Sequence, residues 1–490
     1  MGLSRTLFKR ACFRPRPILK AAAALALFLP TVSQALPIFA RQTGNNCVAC
    51  HAGGQFPELT AYGRMFKATG YTMGKRVALP LAVMAQANMT DTNKANGPTR
   101  GLDFPKNGQP MFQILSLFAG GKILDNLGLF AQVTYDFYNH RKNTAAAPVD
   151  GPGTGGWVGR FTVDNIDLRL ADRIVSPNQD LIYGMSLNNS PTVEDLWNST
   201  PTWGFPYLAS TIAIAQQVAP LVNGLGQQVA GLTAYGYWKQ TVYAAVGAYT
   251  AANGALSVFS QGVDRTARTQ IAGTAPYWRL ALTHASGPHD FMIGTYGMIA
   301  NAYPDPMNMK GPTTAYSDIA IDAQYQYILD PHAITMQFNY TTESVRWDGA
   351  TWANWVAAPD PTLVSHRSAR LNQLNLKGTY AYDAGKWGTF SGTLNYFQVD
   401  GQRDINWGLG GFFDPVTNTN SATPITGSRA NDPGTRGWIA ELSWKPVQYV
   451  RLGVQYWLYN TFNGASRNYD GNGRRASDNN TVFVYLWGIY

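Results

Sequence analysis

Apolar and polar positions alternate with a period of two along much of this 490-residue chain. In "LGLFAQVTYDFY", Leu127, Leu129, Ala131, Val133, Tyr135 and Phe137 share one face, while Gln132, Thr134 and Asp136 lie on the other. "DIAIDAQYQY" sets Ile319, Ile321, Ala323, Tyr325 and Tyr327 against Asp318, Asp322, Gln324 and Gln326. "FTVDNIDLRLA" and "LNQLNLKGTY" repeat the pattern. Side chains of a strand point alternately to its two faces, so each stretch predicts a strand that is apolar on one side and polar on the other. That is the pattern of strands, about 9–11 residues long, that cross a membrane as part of a closed barrel.

About sixteen such segments are found, near 77–89, 110–122, 127–139, 160–173, 179–190, 229–238, 241–251, 276–286, 289–301, 317–327, 333–344, 370–382, 386–398, 437–445, 448–460 and 480–490. Their connections alternate long and short, with "ILDN", "VSPN", "GPH", "LDPHA", "DAG" and "PV" among the short ones. Long loops at one end and tight turns at the other predict an all-β, antiparallel outer-membrane barrel with extracellular loops, periplasmic turns and periplasmic termini. The last segment, "NTVFVYLWGIY", resembles the terminal strand of outer-membrane proteins, which ends on an aromatic residue. A secreted β-sandwich or propeller would also alternate, but it would account for neither the loop asymmetry nor that terminal strand.

Composition agrees. Charged residues make up 14% of the chain, against roughly 25% in soluble domains, and aromatic residues make up 13%. Aromatic residues at this density are expected mainly as girdles at the two membrane interfaces. Residues 1–35 read as a cleaved signal: six basic residues, the short apolar stretch "AAAALALFLPTV", then Ser33-Gln34-Ala35. Cys12 precedes the apolar stretch and would leave with it. Without the signal's six basic residues the formal charge falls from +9 to +3, with 32 Lys/Arg against 29 Asp/Glu, and no basic cluster is left for nucleic acid. Outer-membrane lipid is the expected surrounding.

The chemistry lies in "CVACH", Cys47 to His51. Cys-x-x-Cys-His is the attachment pattern of haem c: the two thiols add to the vinyl groups of one porphyrin, and the histidine becomes an axial ligand of the iron. A thioredoxin-type pair would need a βαβ setting, and a structural zinc site would need further ligands. One covalent haem, on Cys47 and Cys50 with His51 at the iron, is therefore expected. Residues 36–76 are too few to bury a porphyrin alone and predict one helix, Leu59 to Ala68, stopped by Gly70. A barrel of about sixteen strands over 77–490 has a lumen wide enough to hold this segment as a plug. Inward residues such as Asp136, Asp167 and Gln324 would then surround the haem.

The runs "LPIFARQTGNNCVACH" and "FPELTAYGRMFKATGY" resemble the head of the fused cytochrome–porins of iron-oxidising bacteria, and "LNNSPTVEDLWNSTPTWGFPY" (Leu187 to Tyr207) is similar to a loop of that family. The resemblance implies an outer-membrane monohaem cytochrome c that oxidises extracellular Fe(II), an iron:cytochrome c reductase type of activity. Its electron would pass to a periplasmic c-type cytochrome or copper protein. His/Met ligation raises the haem potential and would suit that donor. Met73 in "YTMG" and Met65 on the short helix are the near candidates for the sixth ligand, with a barrel residue or an open site as the remaining choices. Glu194 and Asp195 are loop carboxylates that could hold Fe(II) transiently. Two other functions stay open: a diffusion porin for small solutes with a structural haem plug, and a haem-based enzyme or sensor with an open sixth position.

Cys47→Ala or Cys50→Ala should leave a barrel that still inserts but loses covalent haem and with it Fe(II) oxidation. Normal haem staining of either variant on a denaturing gel would overturn the attachment site.

Overall fold

The computed structural model describes residues 38–94, 107–141, 157–210, 213–261, 269–349, 364–410, 413–414, 419–420 and 425–490. The signal expected over 1–35 lies outside them.

Sixteen strands make up the barrel wall: β1 (Leu81–Thr92), β2 (Pro110–Lys122), β3 (Leu127–Arg141), β4 (Trp157–Ser176), β5 (Gln179–Asn188), β6 (Val229–Trp238), β7 (Val242–Ala251), β8 (Ala275–Ser286), β9 (His289–Tyr303), β10 (Thr314–Leu329), β11 (His332–Arg346), β12 (Ser368–Asp383), β13 (Thr389–Gly401), β14 (Thr435–Val447), β15 (Val450–Thr461) and β16 (Thr481–Ile489). Each pairs antiparallel with the next, and β1 pairs with β16 in the register Met84↔Ile489 to Thr92↔Thr481. The sheet is therefore closed, with no edge strand to leave unpaired in lipid. β1 begins four residues later than its alternation predicts, because Pro80 has no N–H to give to a ladder. The expected asymmetry holds. Short turns such as 177–178, 287–288 and 330–331 lie at one end, and connections such as 189–228 and 402–434 lie at the other.

The polarity is that of a membrane barrel. On β10, Ile319 and Ile321 are each 50% exposed, whereas Asp318 and Asp322 are buried at 1% and 0%. The outward face carries Val83, Leu117, Val246, Leu280, Ile293, Leu394 and Leu442, all exposed. At the short-turn end an aromatic belt forms: His289 Nδ1 meets the Tyr325 hydroxyl at 2.9 Å, His332 Nδ1 meets that of Tyr380 at 2.8 Å, and Trp444 donates to the Trp387 carbonyl at 2.8 Å. Such rings, apolar with a polar tip, suit the membrane interface. This is an outer-membrane β-barrel.

Two segments fill the lumen. The first is residues 38–76, with α1 (Ile38–Thr43), α2 (Cys47–Cys50) and α3 (Ala61–Ala68). Thr60 caps α3, its hydroxyl accepting from the Gly63 N–H at 3.1 Å, and Gly70 (φ 72°) ends it where the sequence predicts. The second is the 189–228 connection, which folds inward. Val193, Glu194, Asp195, Leu196 and Trp197 are all fully buried. Glu194 and Asp195 are thus not surface carboxylates open to Fe(II). Glu194 accepts from the Tyr277 hydroxyl at 2.6 Å, and Asp195 pairs with Arg279 at 2.8 Å. Arg279 also pairs with Asp322 at 2.9 Å, so one guanidinium on β8 ties the loop to the β10 wall.

Removing one partner of a buried ion pair strands its charge and costs about 3–5 kcal/mol, whereas an exposed pair contributes about 0–1 kcal/mol. Arg279→Met should therefore destabilise the barrel strongly and free the inward loop, while Arg173→Met, which loses the exposed Asp180 pair, should be nearly silent. Denaturant unfolding of the lipid-reconstituted barrel checks both. Equal midpoints for the two variants would refute the anchoring role.

Candidate functional site

The N-terminal segment is bonded to the barrel wall at many points. Near its start, the Cys47 N–H donates to Gln448 Oε1 at 3.3 Å, in the short turn between β14 and β15. Lys445 on β14 donates to the Gly53 and Gly54 carbonyls at 2.8 and 2.5 Å. Gly53, at φ 57°, lies so close to β11 and β12 that an added methyl group would overlap the Ala381 side chain. Glu58 accepts from Lys377 on β12 at 2.6 Å and from Thr379 at 3.1 Å.

Further in, α3 presents two cations to the lumen. Arg64 pairs with Asp290 and donates to Gln326 Oε1 at 3.1 Å. Lys67 donates to the Asp195 carbonyl at 2.5 Å and to Asn198 Oδ1 at 2.8 Å, linking the two lumen segments. Tyr71 donates to Asp167 at 2.6 Å, and Asp167 also binds Arg169 at 2.8 Å. Two inward charges of the wall, Asp290 and Lys377, are thus matched by charges on the plug, Arg64 and Glu58.

Cys47, Cys50 and His51 open together into a cavity of about 450 Å³ between the plug, the inward loop and the wall. Its walls are largely apolar and carry the rings of Phe39, Phe56, Phe66, Phe118, Phe130 and Trp487, with Gln132, Asn198 and Arg451 among the polar liners. The His51 ring packs on Phe56 with centroids 4.2 Å apart, and Phe56 packs on Trp487 at 5.6 Å. Cys47 and Cys50 are free thiols, and burial pushes both upward in pKa, Cys50 to about 11. Burial, reinforced by the Lys445 ammonium, pushes the His51 imidazole down to about 3. The ring is therefore neutral, and its buried Nδ1 has no hydrogen-bond partner. Two thiols, a neutral imidazole with an orphaned nitrogen and a flat-walled aromatic space fit the needs of a covalently held porphyrin. Among the described residues no group of three or more His, Cys, Asp or Glu could hold a metal ion by itself.

The other expected residues fall elsewhere. Met65 packs against the buried cluster around Trp197 and Tyr243. The Met73 carbonyl accepts from Gln42 Nε2 at 2.7 Å. Neither side chain lines the cavity, whereas Met84, on the lumen face of β1, does. Asp167 and Gln324 face the lumen as read, but neither they nor Asp136 line the cavity. Asp167 is taken up by Tyr71 and Arg169, and Gln324 accepts from Gln337 at 2.7 Å. The polar liners from β4 are Asp164 and Asn165 instead.

Sequence reading missed a second cavity of about 330 Å³, lined on the wall side by the amides Gln337, Asn339, Gln373, Asn375 and Asn395. Phe397, Ile439, Trp457 and Tyr459 line it too; among the described residues no carboxylate does, and the one charged liner, Lys377, is held by Glu58. Trp203, Gly204 and Pro206 line both cavities, so a single layer of the inward loop separates them. The Trp203 indole donates to the Val193 carbonyl at 3.2 Å, and the Lys67 ammonium lies 4.4 Å from the ring centroid.

No protein-family model matches the sequence, and neither does any curated protein. Solved structures that are similar to it include OmpT of Vibrio cholerae folded in vitro (10% identity, 84% of this chain and 96% of that chain, TM-score 0.38). Others are the anion-selective porin from Comamonas acidovorans (10%, 84% and 98%, TM-score 0.40) and Salmonella typhi OmpF in complex with daunomycin (12%, 84% and 97%, TM-score 0.41).

Gly63 packs α3 directly on the Cys50 backbone, where an added methyl group would overlap the Cys50 carbonyl oxygen. Gly63→Ala should push α3 off the Cys-x-x-Cys turn, an overpacking cost of about 1–3 kcal/mol. Proteolysis of the 38–76 segment in the folded barrel should then speed up at least tenfold. An unchanged cleavage rate would mean that the helix does not brace the motif.

Proposed function

We propose that this protein is an outer-membrane electron conduit that takes electrons from extracellular Fe(II) and passes them to a periplasmic c-type cytochrome or copper protein. Cys47 and Cys50 would hold one haem c, and His51 would bind its iron. The observation that carries the reading is the convergence of Cys47, Cys50 and His51 on one aromatic-walled cavity inside a barrel lumen. The haem, when bound, supplies a one-electron redox centre.

The chain's own residues do the rest. Phe56, Phe66, Phe118 and Phe130 give the cavity apolar walls, and the ion pairs of Arg64 and Lys377 with the hydrogen bonds of Lys67 hold the plug in place. Trp203 forms the partition toward the amide-lined chamber. That chamber is where a hydrated cation entering from the long-loop side would come nearest. Its Asn and Gln side chains do not titrate, so its polarity persists in acid, where carboxylates with ordinary pKa values near 4 would be neutral. Each Fe(II) gives up one electron and leaves as Fe(III), with no atom transferred.

The second reading, a diffusion porin for small solutes with the haem segment as a structural plug, is favoured by the architecture itself: a closed sixteen-stranded barrel with a connection folded into its lumen. The two readings separate in proteoliposomes and planar bilayers. The conduit reading expects Fe(II) added at the long-loop side to reduce the haem in stopped flow, with almost no ionic conductance. Porin-sized conductance together with haem that Fe(II) leaves oxidised would reverse the choice.

A further inference from the structure

We propose that Met84, on barrel strand β1, is the sixth ligand of the haem iron, opposite His51. The inference rests on the haem reading above and completes its coordination from the barrel wall.

Four observations converge on Met84. The first is its place on the strand. The lumen face of β1 reads Ala82, Met84, Gln86, Asn88, Thr90 and Thr92, small or polar at every position but one. An unbranched thioether on that polar face is out of pattern, and it stands at the level of the cavity.

The second is access. Met84 lines the same cavity as Cys47, Cys50 and His51, and Met65 and Met73 do not. Phe56 touches the His51 ring and also packs against the buried cluster of Met84, Phe483, Tyr485 and Trp487. The third is that the lysine, tyrosine and aspartate side chains lining the cavity are already engaged. The Lys67 ammonium is bound to Asp195 and Asn198, the Tyr71 hydroxyl to Asp167, the Tyr207 hydroxyl to Glu58, and Asp164 to Thr134. The Met84 sulfur has no polar partner among the described residues. It is a soft, polarisable donor of the kind found opposite histidine in cytochromes c.

The fourth is rigidity. α3 and the 71–76 linker belong to the plug, whereas β1 is paired on both sides, to β2 and to β16. A ligand on that strand would fix the iron to the wall and lock the plug in the mouth. It would also make complete coordination depend on barrel closure, because β1 and β16 meet only when the barrel is shut.

The test uses the full-length holoprotein with Met84→Leu, a near-isosteric change that removes the sulfur. Haem should remain covalently attached on a denaturing gel. The sulfur-to-iron band of the oxidised protein in the near infrared should vanish, the reduced protein should gain carbon monoxide binding, and the reduction potential should fall. Met84→His should restore a six-coordinate haem that excludes carbon monoxide. Met65→Leu and Met73→Leu should keep the wild-type band. A band that survives Met84→Leu, or one lost in Met65→Leu or Met73→Leu, overturns the assignment while leaving the haem reading intact. A wild-type protein that does not stain for haem overturns both.

Discussion

A strand in hydrocarbon cannot leave its backbone donors and acceptors unpaired, and the ladder between β1 and β16 is what meets that demand here. Once Leu81–Thr92 and Thr481–Ile489 are joined, the period-two alternation of strands such as β10 sends apolar side chains to lipid and polar ones inward, while β16 turns the aromatic rings of Phe483, Tyr485 and Trp487 to the lumen. Closure thus creates a polar lumen. A barrel of this size would hold water, unless the chain fills it with something equally polar. The plug and the inward loop are that filling.

Filling a lumen with protein takes charges out of water, which costs several kcal/mol per ion unless each is paired and hydrogen-bonded. The arrangement answers several of these charges with opposite partners, and it gives the buried Asp318 and Glu343 backbone N–H groups of the inward loop instead. Asp290 on the wall meets Arg64 on the plug, Lys377 on the wall meets Glu58, and Asp195 on the inward loop meets Arg279. Lys67 and Asn198 join the plug to the loop directly. Because the partners come from distant parts of the sequence, these pairs set the position of each segment as much as its stability. An apolar plug would be free to slide, whereas a plug whose charges have single matching partners has one seat.

Much of this could be read in the sequence, for a physical reason. Strand alternation is a local signal, and a membrane enforces it on every turn of the wall, so Ile319, Ile321, Asp318 and Asp322 fall where their pattern puts them. The cap and stop of α3 at Thr60 and Gly70 are local in the same sense. The inward fold of 189–228 is not local. "VEDLW" reads as an exposed acidic loop until Arg279 and Tyr277, more than eighty residues on, are seen to receive its carboxylates. Asp167 and Gln324 show the same limit: alternation gives the face, but not which neighbour on that face takes the hydrogen bond. Met84 left a signal that alternation alone could have raised, an apolar side chain at lumen parity among Gln86, Asn88 and Thr90.

The division of the lumen into two cavities bears on how one redox centre could serve a barrel. The hydrocarbon layer is about 30 Å thick, and electron tunnelling falls off exponentially with distance. A centre held outside the short-turn mouth would be out of reach of a donor at the loops. Cys47 sits near that mouth, at the Gln448 turn, but the cavity it opens into extends to Trp203. Trp203 in turn faces the chamber on the long-loop side. On the conduit proposed above, the inward loop would have two opposed tasks, to keep solutes from passing and to stay thin where the cavities meet. Its Val193–Trp197 stretch is buried in the lumen and anchored through Asp195 to Arg279, and Trp203, Gly204 and Pro206 form the single layer shared by the two cavities.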